Sequence, residues 1–137
     1  MATSKLYFFD IGVARHLRNE GRLLPRSPAF GEAFETFLFH ELRAWQDYVR
    51  GGTLHYWRST SGFEVDFILD ERIAIEVKGK ETVTERDLRG LRALKEEALL
   101  ADYLVVSLDS RPRTVDGIRI LPWRLFLDAL WGGEFTA

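Results

Sequence analysis

Two neighbouring segments near the middle of the chain, residues 63–69 and 73–79, alternate apolar and charged side chains with the two-residue period of a β-strand. The apolar face of the first segment consists of Phe63, Val65, Phe67 and Leu69, and its charged residues are Glu64 and Asp66. The apolar face of the second consists of Ile73, Ile75 and Val77, with Glu76 and Lys78 opposite. Because both apolar faces are expected to cover the same core, the charged faces should point the same way.

The register of this predicted hairpin follows from the same alternation, because directly opposed residues project to the same side of a sheet. A two-residue loop would oppose a charged residue to an apolar one. A three-residue loop at residues 70–72 sets Asp66 opposite Glu76 and Glu64 opposite Lys78. Opposed Cβ atoms lie roughly 5 Å apart, so the sequence predicts that these four side chains form one cluster.

The cluster brings two carboxylates together, and such groups repel each other unless something compensates their charge. One interpretation is a solvated face, on which Lys78 neutralises Glu64 and water screens the remaining charges. The other is a metal site, in which Asp66 and Glu76 bind Mg²⁺ or Mn²⁺; Mg²⁺ takes carboxylate oxygens and water at about 2.0–2.1 Å. The cation would then activate water and stabilise charge on a phosphate, while Lys78 stabilises the developing charge or orients the attacking water.

Length and composition indicate one globular domain over residues 1–137, with 46% hydrophobic and 29% charged residues. The chain has no cysteine, which excludes disulfides, thiolate metal sites and cysteine nucleophiles, and fits a cytoplasmic location. Its apolar runs are far shorter than the roughly 20 residues that span a bilayer, so we expect no membrane partner.

The charge balance limits how the domain can meet DNA. Nineteen basic and 21 acidic residues give a net charge of −2, whereas proteins that coat nucleic acid are usually basic. Contact with DNA would therefore need a local patch, a metal ion or a partner.

Hydrophobic periodicity and turn residues predict the order of the elements. After a short apolar entry and helical turn at 5–17 and a loop at 18–29, the predicted helices are 30–49, 84–98 and one that begins at Pro122. The predicted strands are 54–58, 63–69, 73–79, 102–108 and a turn-rich hairpin strand at about 115–121. This order predicts an α/β (α+β) fold with a mixed sheet flanked by helices.

Several of these residues resemble a nuclease superfamily. Asp66, nine intervening residues and then Glu76-Val77-Lys78 resemble the D-x(n)-E-x-K core of the PD-(D/E)XK nucleases. Gly31-x-x-x-Glu35 and Ser61-Gly62 are similar to motifs of the archaeal Holliday-junction-resolvase-like members. The superfamily's core order, αβββαβ, matches the elements predicted for about residues 30–108.

A narrower resemblance covers nearly the whole chain. The segments that carry it are Lys5-Leu6-Tyr7-Phe8-Phe9-Asp10-Ile11-Gly12, Gly31-Glu32-Ala33-Phe34-Glu35, His40-Glu41-Leu42, Tyr56-Trp57-Arg58, Gly62-Phe63-Glu64-Val65-Asp66-Phe67 and Ile75-Glu76-Val77-Lys78. They are similar to the domain of unknown function at the C-terminus of many bacterial and archaeal AAA+-type ATPases. There is no Walker A motif, so we expect this chain to be the C-terminal module alone.

The resemblance implies a restriction-endonuclease-like fold and a set of site residues. Asp66 and Glu76 would bind Mg²⁺ or Mn²⁺, and the backbone carbonyl of Val77 would add a ligand. Lys78 would assist the attacking water or the transition state, and Glu35 would help with metal or water.

Three further charged residues have two interpretations each. Glu35 falls at the edge of the apolar stripe of the first predicted helix and is either part of the site or a solvated boundary residue. Glu41 falls within that stripe and needs a partner, for which Arg58 and Lys78 are candidates; structural pairing and a supporting role near the site both fit. Arg58 either binds phosphate through its bidentate fork or pairs with Glu64 or Glu41.

Two functions from different classes follow. The first is a metal-dependent nuclease or nuclease-like DNA-processing domain that hydrolyses phosphodiesters, with DNA as partner. The second is a non-catalytic regulatory or interaction module of an AAA+-type ATPase, in which the acidic cluster is structural.

The second predicted helix and the end of the strand before it carry several basic residues. They are either a DNA-facing stripe or a solvated helix face, and they are Arg86, Arg89, Arg92 and Lys95, with Lys78 and Lys80.

Overall fold

The computed structural model of the protein describes residues 28–49, 53–97 and 99–135. Their elements are, in order, α1 (Pro28–Val49), β1 (Leu54–Arg58), β2 (Glu64–Leu69), β3 (Ile73–Lys78), a 3₁₀ turn (Glu85–Leu88), α2 (Arg89–Glu97), β4 (Asp102–Ser107), β5 (Arg113–Val115), β6 (Ile118–Pro122) and α3 (Trp123–Trp131). In this part of the chain the strands form one six-stranded sheet in the order β1-β2-β3-β4-β6-β5. The predicted α+β class is confirmed.

The sheet is mixed, as the order of elements predicted. β1 with β2, β2 with β3 and β5 with β6 pair antiparallel, whereas β3 with β4 and β4 with β6 pair parallel. The parallel steps follow from the crossover connections through α2 and the β5–β6 hairpin. The carboxyl ends of β3 and β4 therefore meet at the same edge of the sheet, with Lys78 beside Ser107.

Helix α1 forms because apolar side chains recur at three- and four-residue steps. The buried residues of this stripe are Phe30, Phe34, Leu38, Leu42 and Trp45. The helix begins at Pro28 rather than at residue 30, because proline is tolerated in a first helical turn. The rest of the predicted loop 18–29 and the predicted segment 5–17 lie outside the described residues.

Both faces of the sheet are covered by helices. The alternation of apolar and charged side chains predicted a single core, and this prediction is wrong. Helices α1 and α3 pack on one face together with Phe67 and Leu69, and the 3₁₀ turn and α2 pack on the other together with Val65 and Ile68. Val65 and Phe67 were predicted on one face, yet they belong to opposite cores.

A β-bulge causes this change of face. Leu54 and His55 pair with Leu69 and Ile68, but Trp57 pairs with Val65, so β2 has one more residue than β1 between these points. The extra residue falls at Asp66–Phe67, opposite Tyr56. A bulge reverses the alternation that a regular strand would keep.

The β2–β3 hairpin has the three-residue loop that the sequence predicts. Leu69 pairs with Ile73, Ile68 with Ala74 and Phe67 with Ile75, which leaves residues 70–72 as the loop. Asp70 and Glu71 adopt positive φ angles of 55°, a conformation that aspartate tolerates better than most residues.

One element after β3 differs from the prediction. The predicted helix 84–98 is a 3₁₀ turn followed by α2, and the carboxylate of Asp87 accepts a 2.8 Å hydrogen bond from the backbone N–H of Thr84. The predicted turn-rich hairpin strand at about 115–121 corresponds to the β5–β6 hairpin, in which Asp116 and Gly117 both have positive φ angles, as a two-residue type I′ turn requires.

Among the described helices, none has the length and apolarity needed to cross a membrane.

Candidate functional site

The regular pairing of β2 with β3 ends at Phe67 and Ile75. Beyond this pair, side-chain carboxylates accept the hydrogen bonds of the backbone N–H groups. Oδ2 of Asp66 accepts a hydrogen bond of 2.8 Å from the backbone N–H of Val77. Oε1 of Glu76 accepts one of 3.3 Å from the backbone N–H of Asp66. The predicted juxtaposition of Asp66 and Glu76 is therefore confirmed, and each carboxylate binds an amide that a continued ladder would have used.

The side chain of Glu76 is buried, with only 6% of its surface exposed. It lies on the α2 side of the sheet, where a Cβ atom on Gly90 would come within 3.3 Å of Glu76 Oε2 and would overlap the backbone carbonyl oxygen of Glu64. The glycine thus lets the start of α2 approach the two strands. A solvated face does not describe Glu76, because its carboxyl group is enclosed between sheet and helix.

Burial and the neighbouring carboxylate raise the pKa of Glu76 to about 9. Desolvation is the largest cause, followed by a hydrogen bond to Asp66 and the repulsion of its charge, while Lys78 opposes the shift. The raised pKa favours the protonated form of Glu76, in which its carboxyl group donates a hydrogen bond to Asp66.

Glu35 on α1 belongs to the same electrostatic group. Burial raises its pKa, the charges of Asp66 and Glu32 add to the shift, and Lys78 opposes it. The close approach of α1 to the end of β3 is possible because a Cβ on Gly79 would be only 3.1 Å from the Cα of Gly31. The structure thus places Glu35 near Asp66; its predicted part in binding metal or water stays a prediction.

Lys78 does not form the predicted pair with Glu64. Its charge acts on Glu35 and Glu76, whereas Glu64 pairs with Arg58, whose Nε lies 3.5 Å from Glu64 Oε1. The reason is the β1–β2 register, which puts Arg58 directly opposite Glu64. Of the two interpretations of Arg58, pairing with Glu64 is what the structure shows, and its phosphate binding stays a prediction.

Tyr56 belongs to this region, although the sequence analysis named it only within the segment Tyr56-Trp57-Arg58 and not as a site residue. Its hydroxyl group donates a hydrogen bond to Glu64, which raises the pKa of Tyr56, and the charge of Asp66 adds to the shift. Alternation alone gave no sign of this position, because it depends on the bulge opposite Tyr56. The sequence signals for Tyr56 were its place in the segment Tyr56-Trp57-Arg58 and its position two residues before Arg58, on the same face of β1.

Glu41 lies apart from this site and serves the packing of α1 against α3. It is 5% exposed, and its Oε1 accepts a hydrogen bond of 3.2 Å from Trp131 Nε1. The predicted partners, Arg58 and Lys78, are engaged with Glu64 and with the site. The sequence could identify Glu41 as a buried charge but not its partner, because Trp131 is 90 residues away along the chain.

Two basic residues of α2, Arg92 and Lys95, and the nearby Lys80 are paired within the protein. Arg92 forms ion pairs with Glu85 and with Asp116, the latter at 2.8 Å, and Lys95 Nζ donates to the backbone carbonyl of Asp116. Lys80 pairs with Asp87 at 2.8 Å, and this interaction together with the hydrogen bonds from Thr84 outweighs the effect of burial and lowers the pKa of Asp87. These contacts favour a structural role for this face over a DNA-facing stripe.

The donor atoms of the site suit a hard divalent cation. Within residues 28–49, 53–97 and 99–135, no group of three or more His, Asp or Glu side chains is arranged to hold a metal ion. Mg²⁺ however usually takes one or two carboxylates and completes its shell with water and substrate phosphate. Asp66 and Glu76 would be those two carboxylates, and their binding of a cation stays a prediction. The carbonyl of Val77 stays a predicted ligand.

Comparison with known proteins identifies the family of this chain. A search of curated proteins and a search of solved structures each found no match. A family model described as "Domain of unknown function (DUF4143)" matches residues 30–126, which include the whole site from Glu35 to Gly90. The chain therefore belongs to the DUF4143 family.

Proposed function

We propose that this domain is a metal-dependent nuclease that hydrolyses phosphodiester bonds in DNA. The observation that carries the proposal is the juxtaposition of Asp66 and the buried Glu76 at the end of the β2–β3 ladder, where each carboxylate accepts a hydrogen bond from a backbone N–H of the opposite strand. Two opposed carboxyl groups with one enclosed by a helix are costly for a purely structural purpose. Active sites are where such arrangements are concentrated.

The resemblance to the PD-(D/E)XK nucleases supports the same assignment. Asp66, Glu76 and Lys78 are spaced as in the D-x(n)-E-x-K core, and they lie on two paired strands flanked by α1 and α2. We include in the proposal that the domain belongs to this superfamily and that it works beside an AAA+-type ATPase module.

The chemistry proposed is in-line attack of water on the phosphorus atom. Asp66 and Glu76 would hold Mg²⁺ or Mn²⁺, which lowers the pKa of water and stabilises negative charge on the phosphate. Lys78 would stabilise the charge that develops on the phosphoryl oxygens, and Glu35 would orient the water. A phosphorus–oxygen ester bond breaks, and the products are a phosphate monoester and a free hydroxyl group.

The second candidate is a non-catalytic interaction module of an AAA+-type ATPase. The observation that favours it is the pairing of Arg92 and Lys95 on α2 with Asp116 and Glu85, which reduces the positive charge that this face offers to DNA. In that case the carboxyl pair would serve only the fold.

Metal-dependent cleavage by matched variants separates these functions. Supercoiled, linear and branched DNA are incubated with the parent chain, with Glu76→Gln and with Asp66→Asn, in Mg²⁺, in Mn²⁺ and in a chelator. We expect the parent to cut in the presence of metal and both variants to lose at least a hundredfold in rate, because each removes a negative charge from the proposed ligands.

Glu96→Gln, which alters an exposed carboxylate of α2, is the control and should cut as the parent does. Equal cutting by Glu76→Gln and the parent would contradict the site assignment. If the folded parent leaves all three DNA forms intact and instead binds an ATPase module, the second candidate is correct.

A further inference from the structure

The four basic residues of the 3₁₀ turn and α2 divide into two sets. Arg92 and Lys95 both contact Asp116, which engages them within the fold. The side chains of Arg86 and Arg89 are exposed, and neither forms an ion pair or a side-chain hydrogen bond in the part of the chain that the structure describes. Within this segment, these two arginines are the cations that stay available to a partner.

Arg86 and Arg89 form one row along the helix, which we call the arginine row. The backbone N–H of Arg89 donates a hydrogen bond to the carbonyl oxygen of Arg86, and side chains three residues apart in a 3₁₀ turn lie one above the other. At about 100° per residue, Arg89 is rotated by about 60° from Arg92, in the direction of Gly90. The arginine row therefore lies on the flank of α2 nearer to Gly90, away from the flank that contacts Asp116.

The arginine row lies beside the carboxyl pair of the proposed site. Gly90 follows Arg89 directly, and a Cβ on this glycine would be 3.3 Å from Glu76 Oε2. Because consecutive Cα atoms are about 3.8 Å apart, the Cα of Arg89 lies within about 9 Å of that oxygen. One strand of B-DNA has a phosphate for about every 3.4 Å of helix axis. A strand whose scissile phosphate lies at the carboxyl pair would therefore have neighbouring phosphates within reach of the row.

The acidic residues of the same segment leave the arginine row accessible to an anion. Those of the 3₁₀ turn bind other cations, and the pairs are Glu85 with Arg92 and Asp87 with Lys80. Glu96 and Glu97 lie at the end of α2, about 10 Å from Arg89 along the helix axis. Within this segment, the charge next to the row is therefore positive.

The carboxylate of Glu64 lies on the other face of the sheet. Its backbone carbonyl oxygen is the group that Gly90 approaches, but its side chain pairs with Arg58 at 3.5 Å. The next residue, Val65, packs into the core beneath α2, and successive side chains of a strand point to opposite faces. The sheet would therefore separate a phosphate at the arginine row from this carboxylate.

We infer that Arg86 and Arg89 bind backbone phosphates of DNA next to the phosphate that is cleaved. The inference rests on the proposed function, for which it specifies how the substrate is recognised. Contacts to phosphates position a duplex but carry no sequence information, so the substrate would be DNA of any sequence. Arg92 and Lys95, one turn further along α2, would take no part in this binding.

The salt dependence of DNA binding in a chelator tests the inference without any cleavage. Two labelled duplexes of equal length and unrelated sequence are titrated with the full chain at several salt concentrations, and fluorescence anisotropy gives the dissociation constants. We expect Arg86→Gln and Arg89→Gln each to reduce the slope of log K against log salt by about 0.9, as the loss of one phosphate contact does. Both duplexes should be affected alike.

Three further variants make the result specific to charge and position. Arg92→Gln removes the same charge from the same helix and should leave the slope unchanged. Arg86→Lys and Arg89→Lys keep the positive charge and should retain the slope of the parent. Near-UV circular dichroism of every variant checks that the fold is intact.

Slopes that are unchanged in Arg86→Gln and Arg89→Gln, an equal fall in Arg92→Gln, or no binding of either duplex would overturn the inference. Because no metal is present, the expected slopes without any cleavage activity would uphold this inference and refute only the nuclease proposal. Metal-dependent cutting that neither glutamine variant slows, together with unchanged slopes, would refute this inference and leave the nuclease proposal standing.

Discussion

The side chain of Glu76 lies where three features meet: the end of the β2–β3 ladder, the start of α2 and the carboxylate of Asp66. Each feature favours the protonated form of Glu76. The enclosed site withholds water, and the neighbouring carboxylate repels a second charge. Glu76 therefore couples protonation to folding and, in the proposed function, to the binding of a cation.

This coupling predicts how the free energy of unfolding depends on pH. Glu76 ionises near pH 4.5 in the unfolded chain and near pH 9 in the folded one, so between these values the folded state holds one more proton. Stability from this group is complete below pH 4.5 and is lost as pH rises toward 9, by up to about 1.4 kcal/mol per pH unit. Glu35, whose pKa is also raised, adds a decline of the same sign.

Urea denaturation at pH 6 and pH 8.5 measures this dependence. We expect the parent to be less stable at the higher pH and Glu76→Gln to lose much of that decline, because glutamine donates the same hydrogen bond without ionising. Glu96→Gln should follow the parent. A Glu76→Gln variant with the same decline as the parent would show that Glu76 is ionised in the folded state at neutral pH.

At the scale of elements, the site depends on where α1 and α2 approach the sheet. The first turn of α2 lies against β2 and β3 at Gly90, and the first turns of α1 lie against the loop after β3 at Gly79. Both approaches occur at the same end of β3 as Glu76 and Lys78. The helices thus enclose the carboxyl pair from two sides of the sheet.

Two helical glycines provide a matched pair of substitutions. At Gly90 a Cβ would overlap the carbonyl oxygen of Glu64, whereas at Gly31 no atom lies within 4 Å of it. Gly90→Ala should therefore destabilise the domain by about 1–3 kcal/mol through overpacking, although alanine alone favours a helix by up to about 1 kcal/mol. Gly31→Ala should show that favourable effect. Thermal unfolding of both variants shows whether each substitution raises or lowers the stability of the domain. Stabilisation by Gly90→Ala would contradict the close approach of α2 to the carbonyl oxygen of Glu64.

At the scale of the whole molecule, local patterns predicted most of the fold. The apolar stripe of α1, the bounds of β1 and the three-residue loop at 70–72 followed from spacing within each element. The juxtaposition of Asp66 and Glu76 followed as well, because it depends only on the register of one hairpin.

Features that depend on contacts between elements far apart in the chain could not be predicted from the sequence. The bulge opposite Tyr56 arises from pairing with β1, so alternation along β2 misplaced Val65 and missed Tyr56. The partner of Glu41 comes from α3, 90 residues away. The burial of Glu76 depends on Gly90 of α2, which a strand pattern cannot reveal.

The release of protons on Mn²⁺ binding tests the central claim most directly. Titration calorimetry at pH 7, in two buffers of different ionisation enthalpy, gives the number of protons released per ion. If Glu76 is protonated without metal and binds Mn²⁺ as a carboxylate, the parent should release close to one proton, since its pKa is about 9. Glu76→Gln should bind far more weakly and release none. Absence of Mn²⁺ binding, or equal affinity in Glu76→Gln without proton release from the parent, would contradict the claim that this carboxyl pair is a cation site.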